Sequence, residues 1–409
     1  MRTAQGSVAD GFEPVARTFT SLLASGAERG AAITVYHRGR RVVHLHGGQA
    51  RGATPFDERT RVVLFSVTKG LASMALALLA DRGKLDYEAP VATYWPGFAK
   101  NGKDAITVAD LLGHRAGLPV LDTPFTLAEC ADASCHPRLV DAMERQRPLW
   151  EPGRGQAYHA ITFGMYAREL FERIAGEPIG ALLQRELFAP LGADVSLGTP
   201  ASEDHRVAEL HPPSAAQRLA GMTLALGRRA IGLEEPLTEW RVLRAIFERD
   251  SLPRRAFLNP SAPRGIASYG EPATWRAPLA WASATGSADG VARAYLPFAL
   301  GGEVDGRRYL SESTIARFHE RRGWSARDPV LQKPLGWTHG FVKDEPHVFS
   351  PVRESFGHPG IGGALGWCDP VNQLAIGYVP NRLDWHVRSP RAIALCRAIY
   401  ASEPVRDAR

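Results

Sequence analysis

What most constrains the fold of this chain is that its β-forming segments lie at its two ends, with a long stretch of other character between them. Near the start, AAITVYHRGRRVVHLHGG holds two β-rich runs on either side of Arg38-Gly39-Arg40, the pattern of a hairpin. β character returns only after Ala282, in LGWTHGFV, SFGHPGIGGALGWCD and QLAIGYVPN. A sheet must bury at least one face, so the two sets are expected to join in a single antiparallel sheet that is discontinuous in sequence. Phe12 to Leu23 has helical spacing of apolar positions, and Ser389-Pro390 opens a last helix that ends near Tyr400; these two helices are expected to pack on one face.

Between the two sets, a short β-rich run from Arg61 to Phe65 leads into Ser66 and an apolar helix that Gly83 ends. From there to about residue 280 the periodicity is mostly helical, broken by loops rich in proline and glycine. Thr107 and Asp110 stand in capping-box spacing at the start of a short helix that GHRAGLP ends. After Tyr158, the positions Phe163, Tyr166, Leu170, Phe171 and Ile174 place one apolar face along a longer helix. The expectation is an α+β chain: residues 1–70 and 283–409 form a sheet domain, residues 71–282 an inserted, mainly helical domain, and an active site lies in the cleft between them. With 409 residues, 44% of them hydrophobic, the chain has the material for such a core.

Composition removes several classes of function. The 49 basic and 43 acidic residues leave a net charge of +6, but the arginines are scattered, with no basic run or nucleic-acid motif to organise them. The longest apolar stretch, Leu71 to Ala80, is well short of the roughly 20 residues that cross a bilayer, and MRTAQGSVADGFEP has no apolar core of a secretory signal. The reading is a cytoplasmic protein with no nucleic-acid or membrane partner. Cys130, Cys135, Cys368 and Cys396 are too few and too irregular for a disulfide framework or a zinc site, and reduced thiols are preferred over a Cys130–Cys135 pair. His44 and His46 lie two apart on a strand, with no carboxylate or cysteine nearby to complete a metal site. There is no Gly-x-Ser-x-Gly elbow, dinucleotide fingerprint or phosphate loop, and no metal or organic cofactor is expected.

Three segments carry residues with chemical potential. In FSVTKG, Ser66 and Lys69 are three apart, which on a helix puts them on one side, a turn from each other. A serine hydroxyl needs a neighbour that takes its proton, and a buried lysine can do so as the neutral amine, whereas arginine stays charged. Only six of the 49 basic residues are lysines, and one stands beside a very apolar helix. The plainer reading is a capping serine with a surface lysine. In EPGRGQAYHAITFG a loop delivers Tyr158 to a helix start; its phenol can relay a proton if an ammonium such as Lys69 lowers its pKa, or it is a half-buried aromatic. In FGHPGIGGALGW, His358-Pro359-Gly360 begins a glycine-rich strand open to close approach by a ligand, although His358 alone reads as a hydrogen-bonded structural residue rather than a catalytic one.

Taken together, LFSVTKG, the apolar helix with RGKLDYEAPVATYWPGF, ITVADLLGHRAGLP, AYHAITFG, ASATGSADGVARAY and GHPGIGGALG resemble the family of class C β-lactamases, penicillin-binding proteins and family VIII carboxylesterases. The resemblance spans most of the chain and implies the β-lactamase/transpeptidase-like fold. It implies that Ser66 forms an acyl-enzyme, with Lys69 as the base or as the tuner of Tyr158. Tyr158 then protonates the leaving group and later activates the incoming nucleophile. His358 to Gly360 occupy the strand that relatives write as Lys-Thr-Gly, and the oxyanion is received by the backbone N–H groups of Ser66 and Ile361.

The departures from that pattern bear on substrate. β-Lactamases carry asparagine where Ala160 stands, and His358-Pro359 replace a Lys-Thr pair that grips a substrate carboxylate. Each lost contact is worth about 0.5–3 kcal/mol, so penicillin-like acids are expected to bind poorly at Ala160, Pro359 and Gly360. The favoured reading is a carboxylesterase acting on small or medium acyl esters. The alternative is a transacylase that passes the acyl group to an amine or alcohol; a β-lactamase or D,D-peptidase ranks lower, and a non-catalytic binding protein lowest. Trp240, Trp275, Trp337 and Trp367 line an apolar pocket or belong to the core.

Overall fold

The hairpin forms where the sequence puts it. The computed structural model describes residues 3–214, 238–343 and 348–407. Its strands β2 (Gly30–His37) and β3 (Arg40–Arg51) turn at Arg38-Gly39, after β1 (Gln5–Val8). The later strands are β4 (Gly323–Ser325), β5 (Leu335–Trp337), β6 (Val342–Lys343), β7 (Phe356–Pro359), β8 (Leu365–Asp369) and β9 (Leu374–Pro380). They align in the order β1-β3-β2-β9-β8-β7-β6-β5-β4, every neighbour antiparallel, with Thr54–Pro55 pairing outside that path on β3. The junction expected from sequence is β2 against β9, in register from Leu374 opposite His37 to Pro380 opposite Ala31.

Five helices matter for the site: α1 (Glu13–Ala24), α2 (Val67–Asp81), α3 (Thr162–Ala175), α4 (Ala288–Ala299) and α5 (Pro390–Ala401). Side chains alternate across a strand, and here both faces are used. Ile33, Val35, Ile376 and Tyr378 join Phe19 of α1 and Leu395 and Ile399 of α5 in one core. Ala32, Tyr36, Ala375 and Val379 join Val291 and Tyr295 of α4 in another. The first and last helices thus cover a face as expected, and α4 covers the opposite one. This is why β2 is buried at every position rather than at alternate ones.

The region between the hairpin and the later strands is mainly helical where it is described; its residues 215–237 lie outside the described residues. Thr107 caps its short helix by accepting from the Asp110 N–H. Of the Arg61–Phe65 run only Val62–Val63 forms a strand, in a separate three-stranded sheet with Thr285–Gly286 and Val195–Ser196. Helix α2 is buried from Val67 to Leu79, so no polar face remains on it. Gly70 permits that burial: a Cβ there would lie 2.4 Å from the Tyr295 hydroxyl and 3.4 Å from His358 Cβ. The helix can therefore lie close to both α4 and β7. A Gly70→Ala variant is expected to lose roughly 1–3 kcal/mol through overpacking, despite alanine's better helix propensity. Urea unfolding measures this, and a gain in stability would show that the contact is loose.

Cys130, Cys135, Cys368 and Cys396 are all free thiols. His44 does have a carboxylate neighbour, contrary to the reading from sequence: the fold brings Glu58 to 3.2 Å from its Nε2, while Thr34 meets its Nδ1. Among the described residues, no group of three or more His, Cys, Asp or Glu is arranged to hold a metal, and no helix is long and apolar enough to cross a membrane.

Candidate active site

Ser66 occupies the position before the first turn of α2, yet its side chain does not cap the helix. The chain enters through Phe65 at a φ of 47°, a left-handed conformation that bulky residues avoid and that marks a strained turn. Ser66 Oγ lies 3.0 Å from Lys69 Nζ, the one-turn spacing seen in the sequence, and accepts from the Tyr158 hydroxyl at 3.2 Å. Ser66, Lys69 and Tyr158 therefore meet at one oxygen, although Tyr158 is far along the chain.

Lys69 is fully enclosed, and its second partner is the Trp281 carbonyl at 3.0 Å. It makes no ion pair among the described residues. Burial alone holds its pKa well below the ordinary lysine range, which favours the neutral amine. Burial pushes the Tyr158 phenol the other way, up to about 12. The sequence reading had an ammonium lowering the phenol; in this resting arrangement burial instead lowers the pKa of the amine and raises that of the phenol.

Tyr158 is held from three sides. Its backbone N–H donates to Asp328 Oδ2 at 2.8 Å, and its ring stacks on Trp337, centroids 5.3 Å apart and 14° from parallel. Asp328 also accepts from the N–H groups of Val330 and Leu331, and burial still raises it to about 6. Two buried histidines fix the segment behind the tyrosine. His159 donates its backbone N–H to His114 Nδ1 at 2.9 Å, and its own Nε2 accepts from the Leu118 N–H at 3.0 Å. Its Nδ1 donates to the Ala157 carbonyl at 2.7 Å. Burial holds His114 well below the usual histidine range and His159 at about 4, so both act as neutral hydrogen-bonding frames.

His358 lies at the edge of this group, its ring 6.5 Å from that of Tyr158 and 5.7 Å from Trp337. Its Nδ1 donates to the Pro359 carbonyl at 2.9 Å, and among the described residues no hydrogen bond joins it to Ser66, Lys69 or Tyr158. Burial first, and the nearby Lys69 second, keep it well below the usual histidine range, so it carries no charge at neutral pH. Ala160 belongs to the same buried apolar cluster as Tyr158 and Trp337. Pro359 is buried at the end of β7, and Gly360 donates its N–H to the Ala364 carbonyl at 2.7 Å. Ile361 follows, 44% exposed, at the rim. The backbone N–H groups of Ser66 and Ile361 donate to no loop carbonyl among the described residues.

Several of these contacts escape a reading of the sequence. Trp281 acts through a carbonyl, which every residue possesses. Asp328 sits in an ordinary Asp-Pro turn, with no signal of its link to Tyr158. His114 and His159 do fall inside the GHRAGLP and AYHAITFG segments, and their place there was the available clue. Of the four tryptophans, Trp275, Trp337 and Trp367 are buried and Trp240 is 44% exposed. Of these four, Trp337 is the one that stacks on Tyr158.

The esterase/β-lactamase LipL of Mycobacterium tuberculosis is 34% identical over 381 residues, covering 91% of this chain and 81% of its own. A crystal structure of a family VIII carboxylesterase superposes with a TM-score of 0.82 at 31% identity, over 97% of this chain and 99% of that one. A penicillin-binding protein homologue from Caulobacter crescentus gives 0.83 at 32% identity, over 98% and 99%. The β-lactamase family model matches residues 15–399, and with a serine, a lysine and a tyrosine converging at one oxygen within that span, the chain belongs to the β-lactamase family.

Proposed function

We propose that the protein is a carboxylesterase that cleaves small and medium acyl esters through a covalent intermediate on Ser66, with water as acyl acceptor. The observation that carries this reading is one serine oxygen held between a desolvated amine at 3.0 Å and a phenol at 3.2 Å. Ser66 Oγ attacks the ester carbonyl carbon as its proton passes to the neutral Lys69 Nζ. The carbonyl π pair moves to oxygen, which the N–H groups of Ser66 and Ile361 receive, helped by the N-terminal end of α2. As the tetrahedral centre collapses, the C–O bond to the alcohol breaks, and the Tyr158 phenol gives that oxygen its proton and regains one from the Lys69 ammonium. Water then attacks the acyl-enzyme, losing its proton to the same pair, and Ser66 leaves as the hydroxyl.

The scheme needs no metal or organic cofactor. Residues 71–282 form the inserted lobe in this proposal, and the ester enters along its boundary with the sheet, where Ile361 is exposed. The esterase and carboxylesterase relatives, at over 30% identity across nearly the full chain, support esters as the substrate class. Ala160 and His358-Pro359, which offer neither the amide nor the lysine and hydroxyl that β-lactamases carry there, support a substrate without the carboxylate of penicillins.

The test compares kcat/KM for p-nitrophenyl butyrate with that for a chromogenic cephalosporin. Two missing polar contacts of about 1.5 kcal/mol each correspond to roughly 100-fold, so the ester is expected to lead by about that factor or more. A cephalosporin turned over faster than the ester would overturn the assignment.

A further inference from the structure

We infer that Arg391 is a positioning residue for the loop Gly360–Gly363, holding the Ile361 N–H in place through the carbonyl of Gly362. This rests on the proposal that the Ile361 N–H receives the ester oxyanion. Arg391 lies in the first turn of α5 and is 7% exposed. Every one of its five N–H donors has an acceptor. Nε reaches Asp384 Oδ2 at 3.3 Å; Nη1 reaches Glu28 Oε2 at 2.5 Å and the Ala27 carbonyl at 3.2 Å; Nη2 reaches the Arg382 carbonyl at 2.8 Å and the Gly362 carbonyl at 2.9 Å.

The Gly362 carbonyl is gripped twice, because the backbone N–H of Asp384 also donates to it at 3.0 Å. Asp384 is in turn tied to Arg391, to the Ser389 hydroxyl and to His386, so both donors come from one buried network. Glu28 anchors the far side, with no exposed surface, and accepts the Tyr378 hydroxyl as well. Gly362 itself has a φ of 85°, and a Cβ there would lie 2.3 Å from Leu383 Cδ2, so its backbone is pressed against the segment that grips it.

The other end of the loop is closed by Gly360 N–H to the Ala364 carbonyl at 2.7 Å and Gly363 N–H to the Gly360 carbonyl at 3.2 Å. With both ends held, the Ile361 N–H between them cannot swing. A guanidinium and two carboxylates buried together carry a large desolvation cost, which apolar packing would avoid. What this network supplies that apolar side chains cannot is a directed donor on one carbonyl. Lysine would keep the charge but has three donors on a flexible stem, not five in a planar fork.

The experiment is steady-state hydrolysis of p-nitrophenyl butyrate by Arg391→Lys, with active sites counted by a fluorophosphonate so that misfolded protein is excluded. Per titrated site, kcat is expected to fall about 10- to 100-fold with KM changed by no more than about twofold. The affinity for phenylboronic acid, which becomes tetrahedral on a serine oxygen, is expected to fall by a similar factor. An unchanged kcat per site, or a loss confined to KM, would overturn the inference. Should Arg391→Lys not fold, Gly362→Ala keeps every charged side chain and forces the loop away from the Leu383 segment that grips it; the same signature is expected, and wild-type turnover per site would likewise overturn it. Failure of the underlying reading looks different: wild-type protein would then form no fluorophosphonate adduct on Ser66.

Discussion

Replacing Ser66 by alanine is expected to lower kcat on p-nitrophenyl butyrate by about 10⁴-fold or more, with the fold retained. The size follows from what remains. Without Oγ no covalent intermediate can form, and the remaining donors and amine can at most assist direct attack by water. The structural cost is small, because Lys69 keeps its bond to the Trp281 carbonyl and Tyr158 keeps its stack on Trp337. Stability should change by about 1 kcal/mol, the worth of an ordinary hydrogen bond. Intact mass after fluorophosphonate treatment gives a second readout: an adduct on the wild-type chain and none on the variant. A variant that hydrolyses the ester at the wild-type rate would end the case for Ser66 as nucleophile.

The second large effect is expected at Lys69. Lys69→Arg conserves charge and approximate length, yet should lose about 10³-fold or more in acylation, because arginine does not give up its proton and cannot take one from the serine. It also places a permanent cation where no carboxylate compensates it, so Lys69→Met is the cleaner variant for separating lost chemistry from lost stability. Both should be nearly inactive; only the arginine should be markedly destabilised. The wild-type pH profile carries the same physics. Burial lowers the Lys69 pKa, so the neutral, active amine is present above that pKa and is lost as pH falls through it. The acid limb of kcat/KM should therefore lie well below the ordinary lysine pKa of about 10.4. Linkage gives the sign for stability. Between the lowered folded pKa and the ordinary unfolded one, the unfolded chain binds more protons at this site, so its contribution to stability rises with pH across that window. A profile for Lys69→Met that keeps the wild-type acid limb at substantial activity would remove Lys69 as the base.

The architecture was legible to the extent that local pattern implies it. The hairpin at Arg38-Gly39, the apolar helix after Ser66, the Thr107 cap and the need for early and late strands to share a sheet all follow from periodicity and turn chemistry. The sequence pattern did not identify α4 as the cover for the second face of the sheet. That face is lined by small residues such as Ala32 and Ala375, whose burial depends on what is laid over them.

The site divides along the same line. Ser66 and Lys69 are neighbours because three residues of helix make one turn, and that is a property of the local chain; so is the identity of each group that can give or take a proton. Whether Lys69 is charged, whether the Tyr158 hydroxyl reaches the serine oxygen, and which carbonyls Arg391 restrains are decided only when distant segments pack. An ionisation equilibrium answers to the dielectric around the group, a hydrogen bond to a few tenths of an ångström, and a backbone acceptor has no residue type to betray it. The linear order of residues names the reagents, and tertiary enclosure sets their protonation and their aim.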